Sequence, residues 1–180
     1  MIRLMKTRRL ALNAMMLAFL VVCSQLTIPL PLVPLTLQTF AVGIIATLLP
    51  LTAGVEVLAA YILLGMVGLP VFADMAGGIA VLAGPLGGYI FGFVIYVLVT
   101  AGIIKLRGTG WWTLTWANMV GALIQLVLGS IWMVPFNHLT LTGALLVGCV
   151  PFIIPGLIKI ALVVMVASRV QAWMPNLRQL

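Results

Sequence analysis

Charge is nearly absent from this chain, and that absence restricts its fold more than any motif does. No charged side chain stands between Arg9 and Glu56, nor between Arg107 and Lys159. Only 6% of the residues are charged and 64% are hydrophobic, with a mean hydropathy of +1.34. A soluble domain covers its surface with roughly 25–35% charged residues, so this composition specifies an all-α integral membrane protein. A spanning helix takes about 20 residues. The 180 residues therefore hold one multi-span domain over 1–180, a bundle of about six helices.

Several function classes fall away at once. No GxxxxGK[ST] phosphate loop occurs, so the chain does not hydrolyse ATP by that mechanism. It has no Ser–His–Asp set, no paired carboxylates and no H-E-x-x-H, so an enzyme is not expected and neither is a cofactor. The net charge of +7 would suggest nucleic acid in a soluble protein; here the basic residues flank apolar spans and read as topology. Cys23 and Cys149 lie in apolar segments, where free cysteine behaves as a small hydrophobe.

Proline and glycine divide the hydrophobic sequence into spans at about 10–27, 35–49, 53–67, 79–104, 114–134 and 155–174. The first is read as a retained span rather than a signal peptide, because it is long for an h-region and no A-x-A-type site follows. Between the first two spans, Pro29, Pro31 and Pro34 forbid helix and push the preceding residues extended. The second and third spans are each about 15 residues, about 22 Å at helical rise, so they borrow loop residues or sit inside the bundle. GLPVFADMAGG (68–78) is the next break, the stretch from PFNHLTLTG to PFIIPG is irregular, and the last span starts with Pro155 at its first position. With this count Arg3, Lys6, Arg8, Arg9, Lys105, Arg107, Arg169 and Arg178 share one face, eight of the nine basic residues. The positive-inside rule makes that face, and both termini, cytoplasmic in a bacterial or archaeal cell membrane.

The ninth, Lys159, lies within a span, where insertion costs about 2.5–3.5 kcal/mol unless the lysine faces a cavity, a partner or the interface. A bound carboxylate would neutralise it. Asp74 either pairs with Lys159 or is solvated at a loop tip. Glu56 falls in the first turn of its span, where the helix dipole favours an anion, and is read as structural. His138 has no histidine or cysteine cluster nearby, so no metal site is expected. Asn118, Gln125 and Trp132 repeat every seven residues and so share a helix face, serving either interhelical hydrogen bonds or a pocket. Gly84, Gly88 and Gly92 permit close helix packing, and Ala14 and Ala18 form a weaker A-x-x-x-A.

The runs PLVPLTLQTF (31–40), GLPVF with AGG and AGPLGGY (68–89), and PFIIPGLIK (151–159) resemble the BioY family. These are biotin-specific substrate-binding (S) components of energy-coupling factor (ECF) vitamin transporters. The resemblance implies a six-helix S-component fold with a biotin pocket near the outer surface. It implies binding positions around Thr36 and Gln38, around Gly77 and Gly78, and at Lys159. It also implies docking of Ala14 and Ala18 on a transmembrane coupling subunit that works with two ATPases. Where the family has an aspartate at the start of D-x-x-K, this chain has Gly156; Asp74 is the residue expected to substitute. Lys159 suits biotin's carboxylate, and Gln38, Asn118, Gln125 or Asp74 its ureido group. Phe72, Tyr89 and Trp132 suit its apolar remainder. A self-sufficient channel or carrier for another small carboxylate or vitamin is the alternative.

Overall fold

The computed structural model describes residues 2–174 and 177–179, and the side chains of Arg3 and Lys6 lie outside the described residues. The long helix α1 (Ile2–Gln25) leads into a two-residue strand β1 (Thr27–Ile28), which pairs antiparallel with β2 (Leu35–Thr36) in the register Thr27 to Thr36. The prolines occupy the loop of this small hairpin, where no ladder N–H is required of them. Helices α2 (Gln38–Leu48) and α3 (Leu51–Met66) follow, hinged at Pro50, whose φ of −63° suits the turn between them.

After a loop with a single 3₁₀ turn at Ala73–Met75 come α4 (Ile79–Ala83), α5 (Gly87–Arg107), α6 (Trp111–Asn137), α7 (Leu141–Gly148) and α8 (Val150–Trp173). By length and composition, the segments 7–25, 87–107, 111–137 and 141–173 can each cross a membrane; α2 and α3 are shorter apolar helices. The 11 residues of α2 span about 16 Å at helical rise. Residues 41–49 are buried throughout, so α2 is a plug inside the bundle rather than a lipid-facing column.

Three expected boundaries change. The span expected at 79–104 is broken into α4 and α5, because the residue before Pro85 is held extended (Gly84 φ −90°, ψ −172°). The segment expected to be irregular before 155 contains α7, capped by Thr140, whose Oγ1 accepts the Gly143 N–H at 3.1 Å. The last helix starts at Val150 rather than Pro155: Pro151 takes the early position that proline tolerates, and Pro155 lies within the helix. The second expected span also loses 35–36 to the hairpin.

Helices α5 and α6 form the most extensive pair. Gly88 and Gly92 on α5 and Gly121 and Gly129 on α6 make it possible. A Cβ at Gly88 would come within 2.1 Å of Trp132, and one at Gly129 within 2.2 Å of the Tyr89 ring. Gly84, expected in the same stripe, instead shapes the α4–α5 break.

The bundle has two chemically distinct ends. At the basic end, Arg9 pairs with Glu56 and also donates to Thr52, while Asn13 donates to the second Glu56 oxygen at 2.8 Å. There too Arg178 donates to the Thr47 carbonyl at 2.7 Å. Burial lowers the pKa of Arg178, and that carbonyl receives its charge. Glu56 thus sits in the second turn of α3 as an ion-pair partner rather than a dipole cap. The opposite end carries the hairpin, the 68–78 loop, α4, α7 and the start of α8.

Candidate functional site

Below the hairpin end, α2, α5, α6 and α8 enclose a cavity of about 100 Å³, several times what a single water requires. Its walls are apolar and aromatic: Val33 and Pro34 from the hairpin loop, Phe72 and Ala76 from the 68–78 loop, Tyr89, Phe93 and Tyr96 from α5, and Phe152 from α8. Its polar groups are Thr36, Gln38, Thr39, Gln125 and Lys159, with no carboxylate among the lining residues. Apolar walls with a few convergent polar groups are the hallmark of a small-molecule site.

Lys159 enters from α8, half-buried. Its Nζ donates to the Thr36 carbonyl at 2.5 Å and to Thr39 Oγ1 at 2.9 Å. An ammonium has three N–H donors, so one remains for a ligand. The break between β2 and α2 explains this geometry, because it frees the Thr36 carbonyl from helix pairing and turns it toward α8. Gln38, the first residue of α2, is fixed from two sides: its Oε1 accepts from Thr36 Oγ1 at 3.0 Å and its Nε2 donates to Tyr61 Oη at 2.7 Å. Tyr89 is held by its hydroxyl, which donates to the Gly148 carbonyl at 2.9 Å. These side chains are preorganised, and a ligand binding among them pays little to order them.

A family model described as the BioY family matches residues 1–176. The chain belongs to the BioY family. It is similar to the biotin transporter BioY2 of Lactococcus lactis subsp. cremoris, 38% identical over 161 residues that cover 88% of this chain and 87% of that one. It is equally similar to the biotin transporter BioY of Thermotoga maritima, 38% identical over 154 residues, 86% of this chain and 90% of its relative. In three dimensions it resembles a crystal structure of the S-component for biotin from an ECF-type ABC transporter, with a TM-score of 0.88, 27% identity and 93% of each chain covered.

In this BioY-family chain Lys159, Thr36, Gln38, Tyr89 and Gln125 converge on one cavity, with Phe72 in its wall. Other residues expected at the site lie elsewhere. Asn118 is fully buried but spent: its Oδ1 accepts from Tyr96 Oη at 3.1 Å, and its Nδ2 donates to Thr47 Oγ1 at 3.0 Å and to the Leu114 carbonyl at 2.8 Å. It knots α2, α5 and α6 below the cavity. Trp132 faces outward beside Phe91 and Phe136, its Nε1 donating to the Gly84 carbonyl at 3.0 Å. Asp74 is exposed at φ 56° and accepts from Thr27 Oγ1 at 2.6 Å, so the pairing with Lys159 does not form. Gly77 and Gly78 do not line the cavity; they shape the loop that does. A Cβ at Gly77 would reach within 2.3 Å of the Leu69 carbonyl, and Gly78 has φ 96° and donates to the Gly65 carbonyl at 2.7 Å. Gly156 lines the cavity with open space where a Cβ would stand. His138 is exposed and, among the described residues, no group of three or more His, Cys, Asp or Glu side chains is assembled for a metal.

Sequence reasoning missed the clamp that holds the 68–78 loop over the cavity. Ser24 Oγ donates to the Val71 carbonyl at 2.6 Å, Gln25 Nε2 donates to the Phe72 carbonyl at 3.0 Å, and Gln25 Oε1 accepts the Met75 N–H at 2.9 Å. Gly65 leaves room for Phe72, whose ring would lie 2.0 Å from a Cβ there. The adjacent polar pair Ser24-Gln25 closing an apolar span was the available signal. Phe152 was missed because its segment was taken to be irregular.

Proposed function

We propose that the chain is the biotin-binding membrane subunit of an ECF transporter, taking biotin at the outer face and passing it inward with an ATP-driven coupling module. It is a transport component and not an enzyme. The observation that carries the reading is the cavity's polar inventory. A half-buried ammonium with one donor to spare and no carboxylate in the lining calls for an anionic ligand, and the remaining walls suit a thioether ring and an alkyl chain. The similarity to proteins named biotin transporters and to a biotin S-component supports the same ligand.

In this reading α1, α2, α3, α5, α6 and α8 are the six crossings, with α4 and α7 as short pieces at the outer end. The basic end is cytoplasmic by the positive-inside rule, which puts both termini inside and the hairpin and the 68–78 loop outside. Ala14 and Ala18, both exposed on α1, offer the small-residue surface on which a coupling subunit packs. ATP hydrolysis belongs to two partner ATPases, and no nucleic acid is involved. The test is calorimetric titration of the detergent-purified chain with biotin. Saturable binding near one ligand per chain is expected; a folded protein that neither carries nor binds biotin overturns the proposal.

A further inference from the structure

One cavity-lining atom remains without a partner. Gln125, on α6, is 1% exposed, and its Oε1 accepts from no protein group. A buried amide oxygen in that condition is costly to keep, and natural proteins rarely do so without a purpose. The orientation of the amide is fixed by its surroundings. Nε2 points at the Tyr89 carbonyl at 3.4 Å, and turning the amide over would set two carbonyl oxygens against each other. The side chain is also pressed into place by α5, since a Cβ at Gly92 would stand 3.0 Å from Gln125 Cγ. The other amide in the lining, Gln38, already both donates and accepts.

We infer that Gln125 is the specificity-determining residue for the ligand's ureido ring, its Oε1 accepting one of the two ring N–H groups. This deepens the biotin reading and rests on it: Lys159 takes the anionic end, and Gln125 takes an N–H donor on the α5–α6 side of the cavity. The consequence is discrimination between N–H and an isosteric oxygen. A ligand with ring oxygen in place of that N–H would press a lone pair against a buried acceptor, which costs more than losing a hydrogen bond.

The experiment compares biotin with its two cyclic carbamates, each having one ureido N–H replaced by oxygen, on wild type and on Gln125→Met. Wild type should bind one of the carbamates at least tenfold more weakly than biotin, about 1.4 kcal/mol. Gln125→Met should lose at least tenfold in biotin affinity while discriminating between biotin and that carbamate by less than threefold. If wild type binds both carbamates like biotin, the inference fails without need of any variant. It also fails if Gln125→Met weakens all three ligands equally, for then the residue only packs. Wild type that binds none of the three refutes the biotin reading beneath it, an outcome distinct from the other two.

Discussion

Replacing Lys159 with methionine keeps most of the side-chain bulk and removes the only charge in the cavity lining. A hydrogen bond to a charged group contributes about 1.5–3 kcal/mol. Breaking a fully buried ion pair by removing one member costs about 3–5 kcal/mol. Lys159 is only half-buried and keeps two protein partners, Thr36 and Thr39, so the lower range applies. At about 1.4 kcal/mol per decade, biotin affinity should fall by about tenfold to a hundredfold. The Thr36 carbonyl also loses its donor, which loosens the β2–α2 junction and on its own would weaken every ligand. Biotin amide separates the two effects. It lacks the carboxylate, so it should bind wild type weakly and lose little more on Lys159→Met. Equilibrium binding of both ligands to both proteins in detergent gives the four numbers required. Equal losses for acid and amide would show that Lys159 acts only through Thr36 and Thr39, and an unchanged biotin affinity would remove it from the site altogether.

Three further outcomes follow from the geometry. Gln25→Leu removes the clamp to Phe72 and Met75, each bond contributing about 0.5–1.5 kcal/mol; amide exchange across 71–76 should accelerate and biotin dissociate faster, whereas unchanged exchange would show the loop is held by Phe72 packing alone. Single cysteines placed at Arg107 and at His138, in a background lacking Cys23 and Cys149, should label from opposite sides of the membrane, and labelling from one side would defeat the six-crossing topology. Ala14→Trp or Ala18→Trp should prevent assembly with a coupling subunit yet leave biotin binding by the isolated chain intact; normal assembly with both tryptophans present would put the contact on another face.

The sequence made the class and the broad layout legible because membrane physics leaves few solutions. Apolar stretches must be helical, and clustered prolines and glycines must break them. Local signals that compete with that rule were harder to weigh. Pro155 was taken as a helix start because it follows an irregular-looking stretch, yet Pro151 could fill the same role four residues earlier, and Thr140 could cap a helix of its own. Conversely, Gly84-Pro85 was absorbed into a span because the residues around it are apolar, although proline's demand on the preceding residue was visible. Hydropathy averages over such signals and cannot rank them.

The polar residues show a deeper limit. Asn118 and Gln125 stand seven apart on one helix face, both are essentially fully buried, and both were equally suited to holding a ligand or holding the fold. Their fates are decided by residues remote in the chain. Asn118 meets Thr47 and Tyr96, which use its oxygen and both of its N–H groups. Two turns further toward the hairpin end, Gln125 meets only the Tyr89 carbonyl, with Gly92 opposite it offering no polar group. Helix periodicity determines which side chains turn inward; whether an inward amide is spent or spare depends on what the neighbouring helices present at that depth, set here by where α2 and α5 cross α6. The same argument applies to Asp74 and Lys159. Both were marked as charges in need of partners, and each found one nearer than the other: Thr27 across the loop for the aspartate, Thr36 and Thr39 at the head of α2 for the lysine. Of the two, only the lysine keeps its charge inside the cavity, because Asp74 sits at an exposed loop position where water solvates it. That difference in burial is what assigns the ligand's charge to Lys159 and leaves Asp74 to the loop.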